Sequence, residues 1–105
     1  MGVSLWEAFV AALLQHAPVV ERRSRYADKP ALFLERREIA HLEAPGVIDL
    51  RLTRQGWTQL RDRLGGDARV RYDARRRDWV ELQLRTTQDV VDLDAVLAAT
   101  AAHNS

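Results

Sequence analysis

The sequence predicts an α+β fold in which a mainly antiparallel sheet of about six strands is covered by three helices, mostly on one face. Two observations support this prediction. Short segments of alternating apolar and polar residues are separated by turn-forming residues, which is typical of antiparallel strands. Longer segments repeat their apolar residues every three to four positions, as amphipathic helices do. The predicted order is α-β-β-β-β-α-β-β-α, and we expect the 105 residues to form one domain.

The first helix and the first two strands follow from capping residues and charge. Ser4 can cap the first helix, with Glu7 three positions later in the capping-box arrangement, and Pro18 ends the element. Residues 19–26 are charged on both sides, so we expect a strand at an edge of the sheet. The segment Ala31–Glu35 is largely apolar, which favours the central strand of the sheet.

A hairpin of two alternating strands is predicted over residues 37–52, with Pro45-Gly46 at its turn. Glycine suits this turn because it accepts a positive φ. Shifting one strand by a single residue would exchange its buried and exposed faces, so matching the faces restricts the register. The simplest matched register sets His41 opposite Asp49 and Ile39 opposite Arg51.

The face of the sheet directed away from the helices is where we expect any activity, because polar and charged side chains gather there. Strand alternation places the following side chains on this open face: Arg37, Ile39, His41, Asp49, Arg51, Arg71, Trp79 and Glu81. The same alternation places Glu38, Ala40 and Leu42 on the opposite side, toward the helices.

The second half of the chain repeats the pattern of helix, hairpin and helix. Thr53 is expected to cap a second helix, which Gly65-Gly66 ends. A second hairpin is predicted over residues 69–84, and its loop contains three consecutive arginines, Arg75–Arg77. We expect this loop to be a solvated turn whose arginines are balanced by nearby aspartates. Thr87 is expected to cap the final helix.

The composition excludes several classes of function. The chain has no Cys, so disulfides, thiol nucleophiles and thiolate metal sites are excluded. A net charge of +1 argues against a dedicated nucleic-acid-binding protein, for which a strongly basic domain is expected. No apolar run approaches the about 18 residues of a membrane span. The N-terminus also lacks the basic flank of a signal peptide, so we expect a cytoplasmic protein without a membrane partner.

The first hairpin resembles a known family. Its strands read Arg-Glu-Ile-Ala-His-Leu from Arg37 and Val-Ile-Asp-Leu-Arg-Leu from Val47, and they resemble the luciferase-domain family of small bacterial proteins, which shares its name with part of a fungal light-emitting oxygenase. The resemblance continues through Asp78-Trp79-Val80 and covers roughly residues 19–100. Most bacterial members have no assigned activity, so the resemblance implies little about function. Many relatives have His where this chain has Glu43.

His41 and Asp49 are the sharpest candidates for chemistry. A carboxylate opposite an imidazole orients the ring and favours its charged form. Such a pair can act as a general base or, beside Arg37 and Arg51, hold an anionic ligand. The alternative is a solvated cross-strand ion pair with a purely structural role. A metal site built from His41, Glu43 and Asp49 is geometrically feasible, but one His with two carboxylates is common by chance, so we predict no metal and no cofactor.

Trp79 is the second candidate, because an exposed Trp flanked by Arg is typical of binding hot spots. The alternative is a Trp that is covered by a terminal segment or that lies over Arg71 in a cation–π contact. The other two tryptophans, Trp6 and Trp57, lie on the apolar stripes of helices and are expected in the core.

Neither a nucleophile–base–oxyanion constellation nor a cofactor motif is recognisable. We therefore expect a non-enzymatic binding or interaction module that uses its open sheet face, with a protein partner or a second copy docking through Trp79. The alternative is a small enzyme, or a binder of a small acidic molecule, with a site at His41 and Asp49. RNA binding ranks third, because sheet-face RNA binders stack bases on two or more aromatic residues. The predicted ligand-binding residues are Arg37, His41, Asp49, Arg51, Trp79 and Glu81.

Overall fold

The computed structural model describes residues 4–26, 28–64 and 66–105. Within these ranges the chain forms a six-stranded antiparallel sheet and four helices, which confirms the predicted α+β class and order of elements. The helices are α1 (Leu5–Leu14), α2 (Arg54–Leu64), α3 (Thr87–Asp92) and α4 (Asp94–Asn104). The strands are β1 (Val20–Arg23), β2 (Pro30–Leu34), β3 (Arg37–Ala44), β4 (Val47–Leu50), β5 (Val70–Tyr72) and β6 (Val80–Gln83).

The strands follow the spatial order β1-β2-β3-β4-β6-β5, so β1 lies at an edge as predicted. The prediction that β2 is central was wrong, because β3 and β4 occupy the middle of the sheet. The apolar character of β2 has a local cause. On the open face the guanidinium of Arg25 lies 5.6 Å from the ring centre of Phe33. A charged side chain thus covers an apolar strand next to the edge.

The hydrophobic core lies between the sheet and the helices, with α1 packed against both α3 and α4. Phe9 and Leu13 of α1 are buried in it, as are Leu50 of β4 and Leu97 of α4. Burying a side chain of this size contributes roughly 1.5–3 kcal/mol, so these contacts hold the helices on one face of the sheet. Trp6 and Trp57 pack against this core as predicted, although both remain half-buried.

Side-chain caps fix where the helices begin. Ser4 accepts a hydrogen bond from the Glu7 backbone N–H at 3.0 Å, as predicted. The Thr53 hydroxyl accepts one from the Gly56 N–H at 3.0 Å and caps α2, also as predicted. Helix α3 is capped by Thr86 rather than by the predicted Thr87, because Asp89 lies three residues after Thr86 and completes a capping box, whereas α4 begins without a side-chain cap. The segment expected to be one helix divides at Leu93 into α3 and α4. Gly65, part of the predicted stop of α2, lies outside the described residues.

The turn between β3 and β4 depends on Gly46, which has φ +74°. A Cβ atom at this position would lie 2.5 Å from the carbonyl oxygen of Leu84. Glycine is therefore required at this position, both because the backbone has a positive φ and because the backbone of Leu84 approaches so closely.

A β-bulge in β3 changes which side chains reach the open face. Leu32 pairs with Ala40 and Phe33 pairs with Glu38, so Ile39 is an extra residue in the ladder. The strict alternation that we predicted was therefore wrong at two positions. Glu38 lies on the same face as His41, and Ile39 is fully buried in the core.

Candidate functional site

The register of the β3–β4 hairpin places His41 directly opposite Asp49, as predicted. The imidazole Nε2 lies 2.9 Å from a carboxylate oxygen of Asp49. Both residues are buried, with 7% and 4% of their surfaces exposed. The interaction is therefore a buried pair, and the alternative of a solvated surface ion pair was wrong.

Glu38 holds the other side of the imidazole. Its carboxylate lies 3.0 Å from Nδ1 of His41, and it also accepts hydrogen bonds from the Ser24 hydroxyl and the Arg25 backbone N–H. The bulge in β3 makes the contact between Glu38 and His41 possible, because with regular alternation the Glu38 side chain would point to the helices. Glu38 thus connects the segment after β1 to the centre of the sheet.

Because each ring nitrogen of His41 faces a carboxylate oxygen, the imidazolium form can donate a hydrogen bond from both nitrogens. The hydrogen bond to Asp49 is the main reason that the pKa of His41 lies above its ordinary value, and it outweighs the opposing effect of burial. Burial alone would raise the pKa of Asp49, but hydrogen bonds from His41 and Arg76 reverse this and lower that pKa.

Arg76 completes the pairing of Asp49. Its guanidinium places Nη1 and Nη2 at 3.2 and 3.0 Å from the two oxygens of the Asp49 carboxylate. The expectation of a solvated turn was wrong for this arginine, whereas Arg75 does pair locally with Asp73. The short 3₁₀ turn Ala74–Arg76 aims one arginine of the run back at the sheet. Periodicity along the chain gives no signal for a contact between residues 27 positions apart.

Two more carboxylates lie close to this pair. A Glu43 oxygen is 3.4 Å from Nε2 of His41, and the Glu43 side chain is half exposed. Glu81 of β6 is the cross-strand partner of Asp49 on the other side of β4. We call His41, Glu38, Glu43, Asp49 and Arg76 the His41 cluster. With Glu81 beside it, four carboxylates surround one histidine and one arginine.

Two aromatic rings flank the imidazole. The Trp79 ring centre lies 5.3 Å from that of His41, and the Tyr26 ring centre lies 6.1 Å from it. Together with Arg76 these residues line an open depression of about 360 Å³. Trp79 is half-buried against His41 and is not the freely exposed side chain that its position suggested.

Arg37 and Arg51 belong to a second site and do not complete the first. The Arg51 guanidinium donates to Asp78 at 3.2 Å and to the Asn104 side chain at 2.5 Å. Both arginines instead line a neighbouring cavity of about 610 Å³, which shares Tyr26 and Trp79 with the depression beside His41. We call this cavity the arginine cleft, and its lining includes Arg25, Arg36, Arg37, Arg51, Tyr26 and Trp79.

The model of the luciferase-domain family matches residues 36–100. The chain belongs to this family. The match spans all five residues of the His41 cluster and Trp79, whereas Arg25 and Tyr26 precede it. Searches of curated proteins and of solved structures returned no match. The resemblance of the first hairpin to the luciferase domain is thereby confirmed.

The predicted ligand residues of this luciferase-domain protein therefore divide between two neighbouring sites. His41, Asp49 and Glu81 lie in or beside the His41 cluster, and Arg37 and Arg51 line the arginine cleft. Trp79 lies between the two. In the part of the chain that the structure describes, no helix has the length and apolarity needed to cross a bilayer.

Proposed function

We propose that this luciferase-domain protein is a non-enzymatic binding module that holds a small acidic molecule in the arginine cleft. One observation supports this proposal above the others: four guanidinium groups and two aromatic rings line the same cavity. Two glutamates, Glu35 and Glu38, also line it, so arginines outnumber acidic side chains. The volume of about 610 Å³ falls within the usual range of small-molecule sites.

The arginines are suited to binding an anion because there are four of them and because hydrogen bonds hold two of them in place. A guanidinium presents a planar fork of donors that matches a carboxylate or a phosphate. Asp78 and Asn104 hold Arg51 in place, and the backbone carbonyl of Arg36 accepts a hydrogen bond from Arg25. Donors held in advance lose less conformational entropy when a ligand binds. Arg36 in the β2–β3 turn and Arg37 at the start of β3 are both exposed, so their guanidinium groups are accessible to a ligand.

The residues that line the cleft also indicate the chemistry of the non-acidic part of the ligand. Trp79 and Tyr26 offer flat apolar surfaces beside the guanidinium groups. A planar or unsaturated acid gains from such a surface, because an aromatic ring packs well against a flat partner. The Trp79 ring already packs 5.3 Å from the His41 ring and is half-buried, which leaves less of it to anchor a protein partner. We therefore favour a small molecule over a docked second copy.

The bonding of His41 favours binding over catalysis. A general base needs a free nitrogen within hydrogen-bond reach of the proton that it removes. Both nitrogens of His41 already contact carboxylates, at 3.0 and 2.9 Å. A small enzyme that uses His41 and Asp49 as its acid–base pair is thus the weaker alternative.

A thermal-shift experiment tests the proposal. We expect small aryl carboxylates and phosphates to raise the Tm of the protein in proportion to the logarithm of their concentration, and the corresponding neutral amides to have no effect. Arg37→Gln is exposed and should fold, yet it should weaken binding about tenfold, because a charge-assisted hydrogen bond contributes about 1.5–3 kcal/mol.

Arg61→Gln on the exposed surface of α2 is the matched control, because it removes the same charge away from the cleft. It should leave the acid-induced rise in Tm unchanged. If no acid raises the Tm, or if Arg37→Gln and Arg61→Gln respond alike, the cleft is not the binding site.

A further inference from the structure

We propose that the His41 cluster binds a divalent transition-metal ion, with His41, Glu43 and Asp49 as its ligands. None of these three ligands lines the arginine cleft, although Glu38, Tyr26 and Trp79 border both sites, and the proposal does not depend on the acid-binding function proposed above. The argument rests on the positions of three donor atoms, on the group that holds the imidazole, and on the balance of charge.

The donor atoms are spaced as a metal requires. Nε2 of His41 lies 2.9 Å from an Asp49 oxygen and 3.4 Å from a Glu43 oxygen. One donor atom from each of the three residues lies within 4.8 Å of the others. Zinc binds nitrogen and oxygen at about 2.0–2.2 Å, and a tetrahedral arrangement then separates the donors by about 3.3–3.6 Å. The His41–Asp49 separation is within about half an ångström of this range and the His41–Glu43 separation lies inside it.

Glu38 supplies the support that a metal-binding histidine needs. Such a histidine almost always donates its other ring N–H to a carboxylate, a backbone carbonyl or a water, which fixes the tautomer and the ring orientation. Nδ1 of His41 lies 3.0 Å from the Glu38 carboxylate, whose side chain is 2% exposed. Glu38 is held in turn by the Ser24 hydroxyl and the Arg25 backbone N–H. Nε2 is the nitrogen that this arrangement directs toward Asp49 and Glu43.

The charge around the imidazole favours a dication. The site contains four carboxylates, those of Glu38, Glu43, Asp49 and Glu81. Only two positive charges oppose them, one on Arg76 and one on a protonated His41. When Nε2 binds a metal in place of a proton, two positive charges replace one. Arg76 is the competing cation on Asp49, and its half-exposed side chain can withdraw to solvent.

The ligand set also indicates the class of metal. One imidazole and two carboxylates suit Zn²⁺, Mn²⁺, Fe²⁺ or Co²⁺ and lack the thiolates that select softer ions. Three protein ligands leave at least one coordination position free. Tyr26 and Trp79 line the depression beside His41, so this position is open to a small molecule.

Calorimetric titration of the full chain, first treated with a chelator, tests the site. We expect Zn²⁺ and Mn²⁺ to bind with one ion per chain. Glu43→Gln should weaken binding about tenfold or more, and it should fold because Glu43 is half exposed. Glu21→Gln is the matched control, because it makes the same charge change on the exposed surface of β1 and should leave the affinity unchanged.

Arg76 gives a test of opposite sign. Arg76→Gln removes the competing cation and should tighten metal binding severalfold, whereas Arg75→Gln in the same turn should have little effect. Co²⁺ should quench the fluorescence of Trp79, whose ring lies 5.3 Å from His41, and Trp79→Phe should remove that quenching.

The proposal is overturned if neither ion binds stoichiometrically, or if Glu43→Gln and Glu21→Gln bind the ion equally well. Glu43 does not line the arginine cleft, so Glu43→Gln should retain the acid-induced rise in Tm. Loss of metal binding and loss of acid binding can therefore be told apart.

Discussion

Two groups of charged residues join distant parts of this chain, and they differ in their exposure to water. Arg69, just before β5, donates to Asp67, Asp89 and Asp92 at 2.9–3.0 Å and so ties the sheet to α3. The side chains of this Arg69 group are 18–42% exposed. In the His41 cluster, His41 and its partners Glu38 and Asp49 are each less than 10% exposed, whereas Glu43 and Arg76 at its edge are 50% and 38% exposed.

The difference in exposure bears on which of the two groups is the better candidate for function. Charges that remain solvated lose little hydration when they pair and gain little from pairing. Charges taken out of water lose several kcal/mol of hydration each, so a buried group is stable only when every member is paired. Apolar residues could fill the centre of the open face without this cost. The buried cluster is therefore the better candidate for function, and the Arg69 group needs no explanation beyond stability.

The largest expected effect is that of His41→Ala. The substitution leaves the carboxylates of Glu38 and Asp49 facing each other without the cation between them, and breaking a buried pair in this way costs about 3–5 kcal/mol. Urea unfolding measures the loss. His16→Ala is the control, because His16 pairs with Asp94 near the surface. Equal losses for the two variants would mean that the buried pairs of His41 contribute no more to stability than the exposed pair of His16 and Asp94.

Above about pH 6.5, the pH dependence of stability should come from His41. The pKa of His41 is raised in the folded protein, so its contribution is complete below the ordinary pKa of histidine, about 6.5. The contribution is lost as the pH rises through the higher folded value. Glu38, Glu43, Asp49 and Arg76 are the charged groups that face the ring.

Chelator-treated protein should therefore lose free energy of unfolding as the pH rises above about 6.5, and His41→Gln should remove this decrease. Asp49 acts with the opposite sign. Its pKa is lowered, so its contribution is present above the ordinary pKa of aspartate and is lost as the pH falls through the folded value. A wild-type profile that is flat above pH 6.5 would contradict the proposed bonding of His41.

The sequence predicted the contact of His41 with Asp49 because both lie in one hairpin, where matched faces and a two-residue turn restrict the register. It failed at Glu38, since one extra residue in β3 reverses the alternation on which face assignment depends. It also failed at β2, where an apolar strand near the edge is shielded by Arg25 rather than by further strands.

Arg76 and the arginine cleft could not be predicted, for a different reason. Each depends on how loops fold back over the sheet, and loop geometry leaves no periodic pattern in the sequence. Arg76 reaches Asp49 from a 3₁₀ turn. Arg51 donates a hydrogen bond to Asn104, which is the last residue of α4. Alternation placed Arg51 and Asp49 on the same face, but their partners divide them between two sites.

The smallest expected effect is that of Arg69→Ala. The substitution breaks three ion pairs at once, yet all four side chains are partly exposed, so water replaces the lost contacts. We expect the Tm to fall by a few degrees at most. The difference between Arg69→Ala and wild type should also narrow in about 1 M salt, where the Debye length is only about 3 Å.

The His41→Ala difference should persist in the same salt, because buried pairs are screened much less than exposed ones. Thermal unfolding of both variants at low and high salt makes the comparison. If the Arg69 difference were the larger and resisted salt, the surface group would be the main determinant of stability. The cost of burying the His41 cluster would then no longer be an argument for its function.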